Sequence, residues 1–204
     1  MEVRVMSATP RPLNVISLAA GTCYGKDNVS ERRVRNCYKS GHTSVLEHAS
    51  ITFRIEGISR ACMAQLTRHR MASFCVESQR YNRYDLSGDD WYVMPEAFDT
   101  DYETSGLDNR KAFQVAMRGA AMEYEFALAK GIKPEDARYL LPEAMKTTLV
   151  MTCNVRELFH ILDMRMDKAA QWEIRKMAEA MKNAAKSVSP QWCELIIMWE
   201  ELHG

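Results

Sequence analysis

Ser50-Ile51-Thr52-Phe53-Arg54-Ile55-Glu56-Gly57-Ile58 is the stretch on which the fold class turns. Ile51, Phe53 and Ile55 alternate with Thr52, Arg54 and Glu56, the period of a strand with one face buried. Gly57 is expected to break it, and Ile58 to about Thr67 returns to helical spacing. Upstream, Ser30 is a plausible N-cap for a helix that ends near Gly41. Downstream, Thr147 to Thr152 is β-branched enough for a second strand, with a short one possible at Trp91-Tyr92-Val93. Most of the remaining chain reads as helix: Asp108 to Ala129, closed by Gly131; a short one opened by Pro134 and closed by Pro142; one capped by Asn154; then Ala169 to Lys186 and Gln191 to Leu202. Few strands separated by helices give an α+β class. The expectation is a helix-dominated single domain over residues 1–204, with a small central antiparallel or mixed sheet.

Trp192, Leu195, Ile196 and Trp199 recur at i, i+3, i+4 and i+7 and make one apolar stripe, either core or subunit interface. Residues 85–109 are rich in Asp, Gly, Ser and Thr and read as a surface excursion. The 204 residues carry 27 Lys+Arg against 27 Asp+Glu, with 47% hydrophobic residues. That balance excludes a general nucleic-acid binder and an acidic disordered chain. No run of about 18 apolar residues exists, so no membrane partner is expected. The N-terminus lacks a secretory pattern. The 6 cysteines are scattered without a CxxC pair and read as reduced thiols, which points to a cytoplasmic location. The 14 methionines read as core fillers.

The zero net charge hides a local excess. Between Arg60 and Tyr84 every Lys/Arg position is an arginine (Arg60, Arg68, Arg70, Arg80, Arg83), opposed only by Glu77. Arginine presents a planar fork of donors that matches phosphate, whereas lysine is a point charge. Arg68-His69-Arg70 is the tightest part; its plain alternative is a solvated charged turn. Ser78 and Arg80, two apart on an extended segment, would point the same way and suit a phosphate monoester. Tyr81 and Tyr84 interleave with these arginines. This leaves open an arginine- and tyrosine-based nucleotide- or RNA-binding protein without catalysis.

A second signal is independent of that cluster. Leu158, Ile161 and Leu162 share a helix face, and Arg165 falls within the same stripe. A guanidinium cannot lose its proton, so on an apolar face it requires an acceptor. A structural ion pair or a bound ligand would serve equally. His42 and His48 frame His-Thr-Ser-Val-Leu-Glu-His at a spacing unlike helical zinc ligands, and no metal is expected.

Taken together, these segments resemble the flavin-dependent thymidylate synthases. The resemblance rests on Arg68-His69-Arg70 followed at seven residues' remove by Ser78, within Gln65-Leu66-Thr67 through Ser78-Gln79-Arg80-Tyr81. It is extended by His42 to His48, Ala137-Arg138-Tyr139-Leu140-Leu141-Pro142, Asn154-Val155-Arg156-Glu157-Leu158 and Ala170-Gln171-Trp172-Glu173-Ile174. It implies reductive methylation of deoxyuridine monophosphate (dUMP) to thymidylate, with FAD as cofactor. It further implies 5,10-methylenetetrahydrofolate as carbon donor, NADPH as reductant, and a homotetramer whose active sites draw on more than one chain.

Residue by residue, Arg68, His69 and Arg70 resemble the flavin-binding triplet, with Arg68 also near the nucleotide. Ser44 matches a flavin contact from a neighbouring subunit, and His42 a histidine close to the flavin ring. Asn154 and Arg156 match further flavin contacts, and His160 falls where some relatives carry a flavin-contacting Asn. Gln65, Glu77, Ser78, Gln79, Arg80 and Arg138 occupy nucleotide-binding positions. Arg165 matches the catalytic arginine that favours loss of the uracil N3 proton and so raises electron density at C5. Val76 stands where many relatives have Glu or Gln, and Ala169 replaces a His found in some. No nucleophile is expected: neither Cys62 nor Cys75 has a neighbour that would activate it, and Ser78 lacks a base.

Overall fold

In the computed structural model, residues 1–98 and 108–203 are described. The strand at Ile51 lies inside the sheet. It is β2 (Ser50–Ser59), and it pairs antiparallel with β1 (Glu2–Ala8). Ile51, Phe53 and Ile55 are all at most 1% exposed, as the alternation requires; burial of each is worth roughly 1.5–3 kcal/mol. Gly57 does not end the strand. The chain runs through it at φ 73° and continues to Ser59, because glycine takes that conformation without a Cβ clash. Helix α3 (Arg60–Leu66) starts only afterwards.

β1 and helix α1 (Pro12–Thr22) carry sequence signals too weak to foretell them. β1 alternates only between exposed and half-buried, and its register slips between Val5 and Ser7, leaving Met6 57% exposed. Helix α2 (Glu31–Lys39) begins as expected, with the Ser30 hydroxyl accepting from the Arg33 N–H. A 3-10 turn spans Thr43–His48. With β3 (Ser73–Val76) and β4 (Lys146–Asn154), the strands form a small antiparallel sheet in the order β1-β2-β4-β3.

The other helices are α4 (Asn109–Ala129), α5 (Pro134–Ala137), α6 (Val155–Met166), α7 (Trp172–Lys186) and α8 (Pro190–His203). The class is α+β, with helix dominant. No helix among the described residues is long and apolar enough to cross a membrane.

The described residues divide into two compact units, each interrupted in sequence. The first comprises Met1–Glu56, Gln65–Cys75 and Leu149–Gly204. In it α7 packs on α6, α8 and β1. The stripe of α8 is core: Trp192, Leu195, Ile196 and Trp199 are buried. The Trp192 indole N–H donates to the Thr9 carbonyl at 3.1 Å.

The second unit comprises Gly57–Ala64 and Val76–Thr148. Its core joins Met117, Ala121, Tyr124 and Ala127 of α4 to Leu86, Trp91, Tyr92, Ala137 and Met145. The expected surface excursion over 85–109 is therefore corrected at its start. Polar neighbours masked three apolar residues that are buried here, with Tyr92 bridging to Met145. Residues 99–107 of that stretch lie outside the described residues.

Candidate active site

In the first unit, Asn154 ends β4 and caps α6, its Oδ1 accepting from the Glu157 N–H at 2.8 Å. Such a cap is worth about 1 kcal/mol. One turn further, Leu158, Ile161 and Leu162 are fully buried, and Arg165 is half-buried beside them in the last turn of α6. The acceptors that its helix face called for are not carboxylates. Arg165 Nε donates to His69 Nε2 at 2.9 Å, and one Nη donates to the backbone carbonyl of Gln65 at 3.2 Å. Its other Nη has no protein partner among the described residues.

This geometry sets His69 apart from its two flanking arginines. The triplet sits in the turn after α3, where Arg68 and Arg70 are exposed and His69 is only 4% exposed. Burial, then the charge of Arg165, then His160, lowers the His69 pKa to about 4. His69 is therefore a neutral imidazole at pH 7. Because a guanidinium can only donate, Nε2 must be the bare nitrogen and Nδ1 must carry the proton. Glu157 Oε1 lies 3.3 Å from Nδ1 and is also buried. The Glu157 carboxyl is itself raised, mainly by burial.

His160 packs edge-on against the His69 ring, centroids 5.6 Å apart, but is otherwise exposed. Asn154, Arg156, Glu157 and His160 line one cavity of about 410 Å³ with Glu47 and Met71. Arg156 is paired there with Glu47. Ser44 is exposed on the 3-10 turn, and His42 lines a different, larger cavity of about 840 Å³ near Lys26 and Arg32. Thus Gln65, His69, Asn154, Arg156, His160 and Arg165 are brought together within this unit, whereas His42 and Ser44 do not share their contacts. Arg68 and Arg70, exposed and without an acid partner among the described residues, suit an anionic diphosphate. The donor set of this unit fits a flavin nucleotide. Cys153 offers no nucleophile, since burial and then the Glu157 charge push its thiol to about 12.

In the second unit, Arg60, Gln79 and Arg138 line a cavity of about 300 Å³ with Tyr139, Leu141, Pro142 and Glu143. The expected extended Ser78-Gln79-Arg80 segment is instead the start of a turn. The Ser78 Oγ accepts from the Arg80 N–H at 3.2 Å, and the Arg80 side chain bends to Glu135 at 2.6 Å and over the Tyr81 ring. Glu135 also orients Arg138, its carbonyl accepting from Arg138 Nε at 2.9 Å. Gln79 is buried, its amide N–H donating to the Met145 sulfur at 3.1 Å.

Glu77 continues the ladder, donating its N–H to the Thr148 carbonyl at 2.9 Å, and it lines a smaller cavity of about 240 Å³. Tyr84 is half-buried against the core of this unit rather than offered for base stacking. Sequence reasoning missed Glu157, Glu135 and the cavity role of Arg60. Asn154-x-x-Glu157 carries a helix-start signature, which hides the fact that this carboxyl turns to His69.

Among the described residues the site combines clustered guanidinium groups with no activated nucleophile, an arrangement that suits the binding of anionic ligands. Comparison with known proteins makes this specific. Residues 4–191 match the family model described as thymidylate synthase complementing protein. A flavin-dependent thymidylate synthase of Geobacter sulfurreducens is 38% identical, over 93% of this chain and 84% of that one. One from Pyrococcus furiosus is 36% identical, over 89% and 77%. The crystal structure of Thymidylate Synthase X from Helicobacter pylori with FAD and dUMP superposes with a TM-score of 0.75 at 28% identity, covering 96% of this chain and 97% of that one. The chain belongs to the flavin-dependent thymidylate synthase family, an enzyme family and not a class of non-catalytic RNA binders.

Proposed function

We propose that this chain catalyses the reductive methylation of dUMP to thymidylate, with FAD bound, 5,10-methylenetetrahydrofolate as carbon donor and NADPH as reductant. It acts as one synthase domain over residues 1–204, a reading supported by a family match that runs through both units. The remaining parts of the proposal are assembly as a homotetramer and a cytoplasmic location.

The observation that carries the reading is Arg165. Its Nε and one Nη are engaged by His69 and Gln65, and its other Nη is left for a ligand. A fixed cation facing the pyrimidine stabilises negative charge on the ring, which raises electron density at C5 for attack on the one-carbon unit of the folate. Arg68, His69, Arg70, Asn154, Arg156 and His160 would hold the flavin, with Ser44 and His42 contributing from their own positions. Gln65, Arg68, Glu77, Ser78, Gln79, Arg80 and Arg138 would hold the nucleotide, Ser78 and Gln79 also by fixing the turn that presents Arg80. Bound FAD supplies the hydride chemistry, while the protein binds, orients and polarises.

The test is anaerobic. The purified protein should be yellow, should bleach with NADPH, and should then convert dUMP and methylenetetrahydrofolate to thymidylate. A colourless protein that takes up no flavin on incubation would overturn the assignment.

A further inference from the structure

We propose that Glu157 is a positioning residue for the methylation step. It accepts a hydrogen bond from the Nδ1–H of His69 and so holds Nε2 as the bare nitrogen to which Arg165 is tied. This deepens the proposed function and rests on the role of Arg165 at the pyrimidine.

What each group can donate or accept decides the arrangement. Arg165 Nε is an obligate donor, so the His69 nitrogen 2.9 Å away must be an acceptor. A neutral imidazole with a bare Nε2 carries its proton on Nδ1. In a ring only 4% exposed, that proton needs a partner within the protein. Glu157 Oε1, at 3.3 Å, is the acid that the structure places at Nδ1, and Glu157 is itself buried.

Glu157 is held independently of the histidine. It stands in the first turn of α6, its N–H bonded to the Asn154 cap, and the N-terminal end of a helix favours negative charge. Helix α6 thus supplies both ends of the array, Glu157 at its first turn and Arg165 at its last, with His69 spanning them. Two of the three guanidinium nitrogens are fixed by His69 and Gln65, so the direction of the remaining Nη is set by the histidine ring. Without an acceptor at position 157 the buried Nδ1–H is orphaned. The ring is then driven toward the other tautomer, which puts an N–H against Arg165 Nε, or toward a flip, which puts the Cε1–H there; either removes the acceptor.

The experiment uses the flavin-loaded protein with ¹⁵N-labelled histidine, comparing wild type, Glu157→Gln and Glu157→Ala. Nitrogen shifts read the His69 tautomer directly, without turnover. Wild type and Glu157→Gln, which keeps an acceptor oxygen, should show the Nδ1–H form; Glu157→Ala should lose it. Turnover of Glu157→Ala should fall by about 10–100-fold, the scale on which removing the carboxylate that orients a histidine acts at metal sites. The KM for dUMP should move much less, and Glu157→Gln should recover most of kcat. In the Arg165→Ala background, Glu157→Ala should cost little more.

An unchanged His69 tautomer in Glu157→Ala, or an equal loss in Glu157→Gln and Glu157→Ala, overturns the proposal. If Glu157→Ala does not fold, the Gln variant alone decides it, through its tautomer and its kcat. Should the tautomer respond as expected while Arg165→Ala retains full turnover, the role given to Arg165 fails, and the positioning role in catalysis fails with it.

Discussion

Arg165 of the first unit and Arg80 of the second are held by opposite means. In the first, Arg165 is half-buried and bound to neutral acceptors, an imidazole nitrogen and a backbone carbonyl. In the second, Arg80 is exposed and leans on a carboxylate, Glu135, that is itself partly open to solvent. An ion pair in water contributes about 0–1 kcal/mol and exchanges readily for another anion. Neutral acceptors leave the full positive charge of Arg165 uncompensated, pointed where a ligand must answer it. The difference fits the roles proposed for them: Arg80 to trade its carboxylate for a phosphate, and Arg165 to impose a field on a ring that carries little charge of its own.

The largest effect expected from breaking this contrast is at Arg165. Arg165→Ala should keep bound flavin and lose about 10²–10³-fold in thymidylate turnover, the loss typical when one electrostatic stabiliser of a developing anion is removed. Loss of flavin, with turnover restored by excess FAD, would reassign the residue to cofactor binding.

Next comes the neutrality of His69. Its pKa is about 4 in the folded chain against an ordinary 6.5. Between those values the unfolded chain takes up a proton that the native one refuses, so stability falls as pH drops from 6.5 toward 4. The fall levels off below, and the His69 contribution to pH dependence fades within about one pH unit above 6.5. The full difference is on the order of 3 kcal/mol. Glu157 acts with the opposite sign: its raised pKa gives stability that is present below the ordinary carboxylate value and lost as pH rises through the raised one. Urea unfolding at pH 7 and pH 5 should therefore show a larger pH 5 deficit for wild type than for His69→Asn. Equal deficits would mean that His69 titrates normally.

A smaller effect belongs to the helix that carries the array. Asn154→Ala removes the cap of α6 and should cost about 1 kcal/mol, seen as a melting temperature lower by roughly 2–4 °C. The smallest effect is on the exposed side of the contrast. Glu135→Gln should change stability by no more than about 1 kcal/mol, while dUMP affinity, read by titration, changes through the freed Arg80. A stability loss comparable to that at His69 would show that the Arg80–Glu135 pair is structural after all.

Much of this was legible in the linear chain. The period of Ile51-Phe53-Ile55 names a strand, Asn154 names a helix start, and the apolar neighbours of Arg165 demand an acceptor. Each is a local property, set by residue type and spacing. The misses share one cause. Gly57 reads as a breaker because a positive φ is invisible in sequence, though a strand can pass through it. Leu86, Trp91 and Tyr92 are sparse among polar residues, and only packing against α4 makes them core. Ser78 and Arg80 do not point the same way because the chain turns there, and the Arg80 guanidinium goes to Glu135, 55 residues away.

The sequence by itself determined the α+β class, the location of the arginine excess and the obligation of Arg165 to find a partner. These follow from side-chain chemistry and from periods of 2.0 and 3.6 residues. Only the tertiary structure decided who that partner is. His69 lies 96 residues from Arg165; its neutrality arises first from burial, and its tautomer from the donor that the fold sets against it. Burial is a property of the folded assembly of segments, not of any one of them.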